Sequence, residues 1–152
     1  MDLRSRWKPA HREIRPMRKL LLLLLLLMMA APALADISIR QGGSLWANVE
    51  SDGSIRVNGS LVGKFESDGY VRKDGSLVGR VESDGTIRKD GSLYGQVESD
   101  GTLRVGGSLA GSIESGGTIR KGGSLWGSAD GMGGGDDVHK VAAVLYFFSG
   151  DW

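Results

Sequence analysis

Acidic side chains recur at fixed intervals along this chain, and paired carboxylates are the first chemistry they suggest. A glutamate is followed two residues later by an aspartate in four successive copies, as in Glu66 and Asp68. Two such carboxyls can hydrolyse glycosides when one is protonated and the other ionised, and clustered oxygens can bind Ca²⁺. Because the carboxylate pairs repeat, each pair has a similar environment, which disfavours a pair with one protonated and one ionised member. Each turn also offers few oxygen ligands for Ca²⁺. We therefore predict that the protein is not an enzyme and holds no cofactor or metal.

A second series has aromatic members at a position that otherwise varies. The residue after each Gly-Ser-Leu triplet is predicted to face outward, and exposed aromatic rings can stack on sugars or insert into partners. Trp46, Tyr94 and Trp126 are therefore the candidate ligand-binding residues. The alternative is that they merely cover the rims of the fold under the C-terminal segment. The full series is Trp46, Val62, Val78, Tyr94, Ala110 and Trp126.

Both series belong to a sixteen-residue repeat, which fixes the architecture. Gly-Ser-Leu begins at six glycines spaced by sixteen residues, from Gly43 to Gly123. Leu61, Gly63 and Phe65 alternate with polar or variable residues, as in a half-buried strand. A three-residue loop at 67–69 pairs Phe65 with Val71 on one face, with its glycine in the left-handed conformation. The same rule applied to residues 57–59 pairs Ile55 with Leu61, so the leucines are expected to face the core.

These pairings predict an all-β, pseudo-symmetric ring of short antiparallel strands. Gly63 and its equivalents are expected to be corners where a strand changes partner, which would divide the ring into three-stranded petals. Five petals follow from the complete copies, and a sixth forms only if residues 128–130 meet Ile39 and Leu45. The alternative is a parallel β-solenoid with sixteen residues in each coil.

The chain divides into four segments: a leader, the repeats, a linker and a C-terminal segment. Residues 1–35 read as a signal peptide, because Arg18 and Lys19 precede a short apolar run and a small-residue cleavage motif. The repeat domain covers 36–130 and a glycine-rich linker covers 131–135. Residues 136–152 are predicted to form an apolar helical segment that packs against one end of the ring, with Asp136 or Asp137 capping the helix. A short strand is the alternative, because the stretch is rich in valine and aromatic residues, and the alternative role of the segment is to bind a partner or a membrane.

Composition excludes several classes of function. The chain has no cysteine, and His139 is the one histidine beyond residue 35. The residues after position 35 hold 12 of the 19 Lys and Arg but 16 of the 18 Asp and Glu. A net charge of −4 argues against binding to nucleic acid. No stable membrane span is expected once the leader is cleaved.

The leader, the Ile-Arg-x-x-Gly-Ser-Leu-x-Gly-x-Val-Glu-Ser-Asp-Gly repeat and the terminal Ala-Val-Leu-Tyr-Phe-Phe together resemble the five-fold β-flower proteins. The resemblance implies a small exported bacterial protein with a flower of short strands, and it supplies no catalytic residues. We predict an exported protein of the periplasm or exterior, with a structural or interaction role in the cell envelope. Its partner would be an unidentified macromolecule. The alternative function is a glycan-binding module.

Overall fold

The fold is a closed ring of twelve short strands with one helix. The computed structural model describes residues 35–152, so the predicted leader lies outside the described residues except for Ala35. The strands are β1 Ile37–Gln41, β2 Ser44–Val49, β3 Ser54–Val57, β4 Ser60–Phe65, β5 Tyr70–Lys73, β6 Ser76–Val81, β7 Thr86–Lys89, β8 Ser92–Val97, β9 Thr102–Val105, β10 Ser108–Ile113, β11 Thr118–Lys121 and β12 Ser124–Asp130. Helix α1 is Gly135–Phe148.

Every strand pairs antiparallel with its neighbours in the chain, and the first strand closes on the last. The closure joins Ile39 to Ala129 and Arg40 to Ser128. The predicted ring is thereby confirmed, and it has six hairpin units because residues 128–130 meet the first strand. The solenoid alternative is wrong, because a solenoid requires parallel ladders. Closure leaves no strand edge in the ring open to another chain.

One end of the barrel carries the predicted three-residue turns, and we call it the Ser-Asp-Gly rim. Phe65 pairs with Val71, as expected. Gly69 has a φ of 87°, and its N–H donates to the Glu66 carbonyl at 2.9 Å. A Cβ at this glycine would collide with the Val81 carbonyl of the next hairpin. The turns of this rim lie at residues 51–53, 67–69, 83–85, 99–101 and 115–117.

The turns at the other end, the leucine rim, differ from the expectation. Asn58 and Gly59 both have positive φ, 50° and 82°, and Val57 pairs with Ser60. This is a two-residue hairpin turn, whose twist matches that of the flanking strands better than a longer loop. The expected three-residue loop at 57–59 is therefore wrong. Equivalent turns lie at 42–43, 74–75, 90–91, 106–107 and 122–123.

The shorter turn leaves one residue over, and a β-bulge in the second strand accommodates it. Arg56 pairs with Leu61, whereas Ile55 pairs with Gly63, so Val62 is the extra residue. A shift of one residue exchanges the two faces of a strand. The leucines expected in the core accordingly lie outside, and the residue after the leucine packs against the core in five of the six repeats. The exposed set is Leu45, Leu61, Leu77, Leu93, Leu109 and Leu125, with 51–69% of each residue accessible.

The glycine after the bulge has a different role from the predicted corner. Gly63 pairs with Ile55 on one side and with Lys73 on the other, so the ladder continues through it. The strands form one continuous sheet at this position, without a change of partner. A Cβ at Gly63 would meet the Arg72 carbonyl and lie 2.6 Å from the Phe148 ring. The glycine therefore permits close packing against the inner wall.

Helix α1 fills the interior of the barrel. About eight strands enclose just enough room for their own side chains, so a ring of twelve needs further filling. Residues 141–147 are all buried, which indicates a helix surrounded on every side. The segment lies along the core instead of against one end of the ring. The helix begins one residue before the predicted segment, and its N-cap is Gly134 instead of Asp136 or Asp137. Asp137 lies in the first turn, where its carboxylate accepts hydrogen bonds from the N–H groups of Gly133 and Gly134 at 2.8 and 3.2 Å.

The core consists of this helix and the inner rows of the strands. The rows contribute mostly valine and isoleucine, such as Ile55, Val71 and Ile87, each fully buried. Among residues 35–152, no helix is both long enough and apolar enough to cross a bilayer.

Substitution of Gly79 by alanine is expected to destabilise the fold strongly. Its Cβ would enter the space occupied by the Arg88 carbonyl and the Phe147 ring, and overpacking of this kind costs about 1–3 kcal/mol or more. Urea unfolding of Gly79→Ala measures the loss. Gly116→Ala is the control, because its Cβ would meet nothing within 4 Å. Equal stability of the two variants would contradict the packing argument.

Two leucines test the observed inward and outward faces. Leu145 is 0% exposed and Leu93 is 69% exposed. Leu145→Ala should lower the free energy of unfolding by about 2–5 kcal/mol, because it leaves a cavity. Leu93→Ala should change it by no more than about 0.5 kcal/mol. Thermal and urea unfolding of both proteins distinguish this arrangement from the core position expected for Leu93.

Candidate functional site

The three predicted ligand-binding aromatics lie inside the leucine rim. Because of the bulge, Trp46, Tyr94 and Trp126 turn toward the core and are half-buried. Trp126 packs edge-on against Trp46, with ring centroids 5.5 Å apart, and against Trp152 at 6.3 Å. Tyr94 packs edge-on against Tyr146 at 5.9 Å. We call these five residues the aromatic cluster. The expectation that the three face outward is wrong, whereas their role in ligand binding stays a prediction.

The variation in this series follows the shape of the C-terminal segment. In three repeats the residue of this series is valine or alanine, and a Cβ on the glycine that follows would collide with a C-terminal aromatic ring. In the other three the residue is aromatic, and two of these rings pack edge-on against C-terminal rings: Tyr94 against Tyr146, and Trp126 against Trp152. Large and small residues thus complement one another across the interface, as close packing requires. The three glycines face different rings: Gly63 faces Phe148, Gly79 faces Phe147 and Gly111 faces Trp152.

Polar atoms within the aromatic cluster anchor the chain terminus. The Tyr94 hydroxyl donates to the Trp152 carbonyl at 2.9 Å, and the Tyr146 hydroxyl donates to the Arg104 carbonyl at 3.1 Å. Burial, followed by the neighbouring Tyr94, raises the pKa of Tyr146 well above its ordinary value. Tyr146 therefore remains a hydrogen-bond donor, and the cluster provides structural contacts between helix and barrel.

Three lysines cover the aromatic end of the barrel. Lys73 lies 5.7 Å from the Phe148 ring centroid, Lys89 lies 5.0 Å from Tyr94, and Lys121 lies 5.6 Å from Trp152. Such cation–π contacts contribute about 0.5–1 kcal/mol each at exposed sites. They place three positive charges at the leucine rim.

The outer wall carries the expected ion pairs. Arg56 Nε lies 2.6 Å from Glu50 Oε1, and four further repeats show the same contact at 2.5–2.8 Å. The first arginine, Arg40, pairs with Asp130 at 3.3 Å. Exposed pairs of this kind contribute about 0–1 kcal/mol each. The recurring glutamates are therefore engaged with arginines on the surface.

The Ser-Asp-Gly rim differs from the leucine rim in its concentration of aspartates. Asp52 accepts a hydrogen bond from the Ser54 N–H at 2.8 Å and one from the Ser54 hydroxyl at 3.0 Å. These two bonds lower the pKa of Asp52 below its ordinary value, and Thr86 and Thr102 lower those of Asp84 and Asp100 in the same way. The aspartates therefore hold their turns in shape.

A cavity of about 450 Å³ opens at this rim beside the first turns of α1. Three successive turns form one wall and the helix forms the other, while Phe65 and Val81 supply apolar surface. The charged and polar lining residues are Asp52, Asp68, Arg80, Asp136, His139 and Lys140. The volume falls within the range of small-molecule sites. The cavity is therefore a candidate binding site at this rim.

The comparisons with known proteins leave the family open. No family model, curated protein or solved structure matches the chain. The resemblance to the five-fold β-flower proteins therefore stays a prediction.

Two features at the surface differ from what the repeat pattern predicts. Leu61 and its equivalents were assigned to the core, although Asn58-Gly59 is a strong two-residue turn signal that would have moved them outward. Phe65 was assigned to an inward row, and its exposure at the cavity went unnoticed. It is the one aromatic among six residues that are otherwise aliphatic: Val49, Phe65, Val81, Val97, Ile113 and Ala129.

Acid should weaken the Ser-Asp-Gly turns in a way that three aspartates control. A lowered pKa in the folded state contributes stability above the ordinary value of 3.8, and this contribution is lost as the pH falls through the lower folded value. We expect the melting temperature of the triple variant Asp52→Asn, Asp84→Asn, Asp100→Asn to fall less than that of wild type between about pH 5 and pH 2.5. Scanning calorimetry across this window measures the difference. Parallel curves would contradict the role assigned to these carboxylates.

Proposed function

We propose that this is an exported, non-enzymatic structural or interaction protein of the bacterial cell envelope, which attaches by its leucine rim to a lipid surface. The ring of six exposed leucines carries the proposal. These six are the exposed large hydrophobic residues of the described chain, and every repeat contributes one. Repeated exposure of large apolar side chains in one band is characteristic of a contact surface.

The direction of the leucine side chains favours a lipid over a flat protein partner. Leu61 pairs with Arg56 and shares the outer face with it. Neighbouring leucines are separated by two strands, or about 10 Å. They therefore point outward all the way round the rim. A flat partner would contact only the leucines on one side, whereas the fluid headgroup and acyl boundary of a membrane surrounds all six.

The magnitudes support reversible attachment. Full burial of a leucine contributes about 1.5–3 kcal/mol, so the exposed half or more of each residue leaves roughly 1 kcal/mol, or about 6 kcal/mol for the ring. That is of the same order as one myristoyl chain, which binds membranes reversibly. Lys73, Lys89 and Lys121 lie at the same end, and lysines beside apolar residues suit a membrane interface. The acidic rim at the other end would face water.

The proposal includes export and a relation to the β-flower proteins, and it bears on the glycan-binding alternative. Export follows from the predicted leader at 1–35, and the β-flower resemblance suggests a related class of small exported proteins. The glycan-binding alternative through Trp46, Tyr94 and Trp126 receives less support, because each ring is already packed against another aromatic ring.

Vesicle flotation tests the attachment. The mature chain is mixed with neutral phosphatidylcholine vesicles and with vesicles that also contain phosphatidylglycerol. Wild type should float with both, since apolar contact dominates. The triple variant Leu77→Ser, Leu93→Ser, Leu109→Ser should lose about half of the apolar contact energy, and its partition constant should fall at least about tenfold.

Controls separate lipid contact from loss of fold and from self-association. Gln96→Ser, an exposed change elsewhere on the outer wall, should bind like wild type, and all variants should melt within a few degrees of it. Absence of wild-type flotation would refute the proposal. Sedimentation that reveals a leucine-dependent oligomer without vesicle binding would assign the ring to a second copy of the chain instead.

A further inference from the structure

The cavity at the Ser-Asp-Gly rim exists because the helix departs from the symmetry of the ring. Five Ser-Asp-Gly or Ser-Gly-Gly turns repeat around this end, and three of them border the cavity. Gly53 and Gly69 belong to these turns, and Asp136 and His139 face them from α1. The helix therefore gives the repeated turns a set of neighbours that does not repeat.

Phe65 gives this cavity an aromatic surface. The equivalent residues in the other repeats are aliphatic and buried, whereas Phe65 is only half-buried and lines the cavity. The aliphatic residues at this position show that the fold does not require an aromatic ring there. An accessible ring face beside polar groups suits a ligand with an apolar face and a polar edge.

The polar side chains that line the cavity beside Phe65 include both hydrogen-bond donors and hydrogen-bond acceptors. Asp52, Asp68 and Asp136 offer carboxylate oxygens, and Lys140 offers N–H donors. His139 can donate from one ring nitrogen and accept at the other when it is neutral. Serine hydroxyls from three turns, Ser51, Ser67 and Ser83, add groups that do both.

The charges of the lining disfavour a simple ion. Lys140 Nζ already donates to Asp137 at 2.8 Å. Arg80 donates to the Asp68 carbonyl at 3.3 Å, and its guanidinium lies 4.8 Å from the Tyr70 ring centroid. An anion would therefore be repelled by the carboxylates, because the neighbouring cations already have partners. A cation would be repelled by Lys140 and Arg80. A neutral ligand with many hydroxyls satisfies both kinds of group.

We propose that this cavity binds a neutral saccharide, with one face of the sugar ring on Phe65 and its hydroxyls on the aspartates and the helix residues. The site is separate from Trp46, Tyr94 and Trp126, which lie at the opposite end of the barrel. It is also independent of the lipid attachment, because the leucines lie at the other rim. The cavity volume of about 450 Å³ accommodates one or two sugar residues.

NMR titration of the full mature chain tests the site. The probes are glucose, N-acetylglucosamine, cellobiose and chitobiose as neutral sugars, spermidine as a cation and inorganic phosphate as an anion. At least one sugar should produce saturable shifts in the amide signals of Gly53, Gly69 and His139, and neither ion should do so. Phe65→Val should weaken the association constant about tenfold, the loss expected for an aromatic contact.

The repeat itself provides matched variants. Valine occupies the position of Phe65 in three other repeats, so Phe65→Val should fold normally. Gln96→Ser introduces the residue found in two other repeats at an exposed position outside the cavity lining, and its sugar binding should equal that of wild type. Absence of sugar binding, shifts caused only by spermidine or phosphate, or equal affinity of Phe65→Val and wild type would each overturn the proposal. The variant with Leu77→Ser, Leu93→Ser and Leu109→Ser should retain sugar binding. The sugar-binding test therefore stays valid even if the protein does not bind lipid.

Discussion

Filling the inside of a twelve-stranded ring is the constraint on which the rest of this structure depends. Short strands with valine and isoleucine on the inner wall cannot meet across so wide an interior. Helix α1 supplies the missing volume, and seven consecutive helical residues are buried as a result. The apolar C-terminal sequence is therefore the counterpart of the repeats, because neither part can bury its apolar surface alone.

A helix has no six-fold symmetry, and the inner wall adapts to this difference. The positions after the leucines hold aromatic residues in three repeats and smaller residues in the other three, where a C-terminal ring lies against the following glycine. On the outer wall the leucine recurs in all six repeats and the Arg–Glu pair in five. The departures from the repeat at the positions after the leucines adapt the inner wall to the helix, and the departure at Phe65 borders the cavity.

The sequence allowed prediction of the period, the antiparallel ring, the left-handed glycine at 69 and the C-terminal helix, because each depends on local residue types. It did not reveal the bulge at Leu61 and Val62. The prediction rests on the rule that paired apolar residues share one face of the sheet. That rule favours a three-residue loop at 57–59, which would bury Leu61. The Asn-Gly turn prevailed because its twist suits a hairpin, while the helix offered Val62 and its equivalents a better place in the core. The cavity depends on where the helix sits, which no local pattern specifies.

The two ends of the barrel consequently serve different purposes. Groups repeated around the leucine rim present the same chemistry in every direction, which suits contact with an extended surface and gives little discrimination among small ligands. A small ligand requires a set of unlike groups at one place. Such a set arises only where the helix breaks the repeat, as it does between Phe65 and His139. Symmetry in the wall and asymmetry in the helix therefore lead to attachment at one end and recognition at the other.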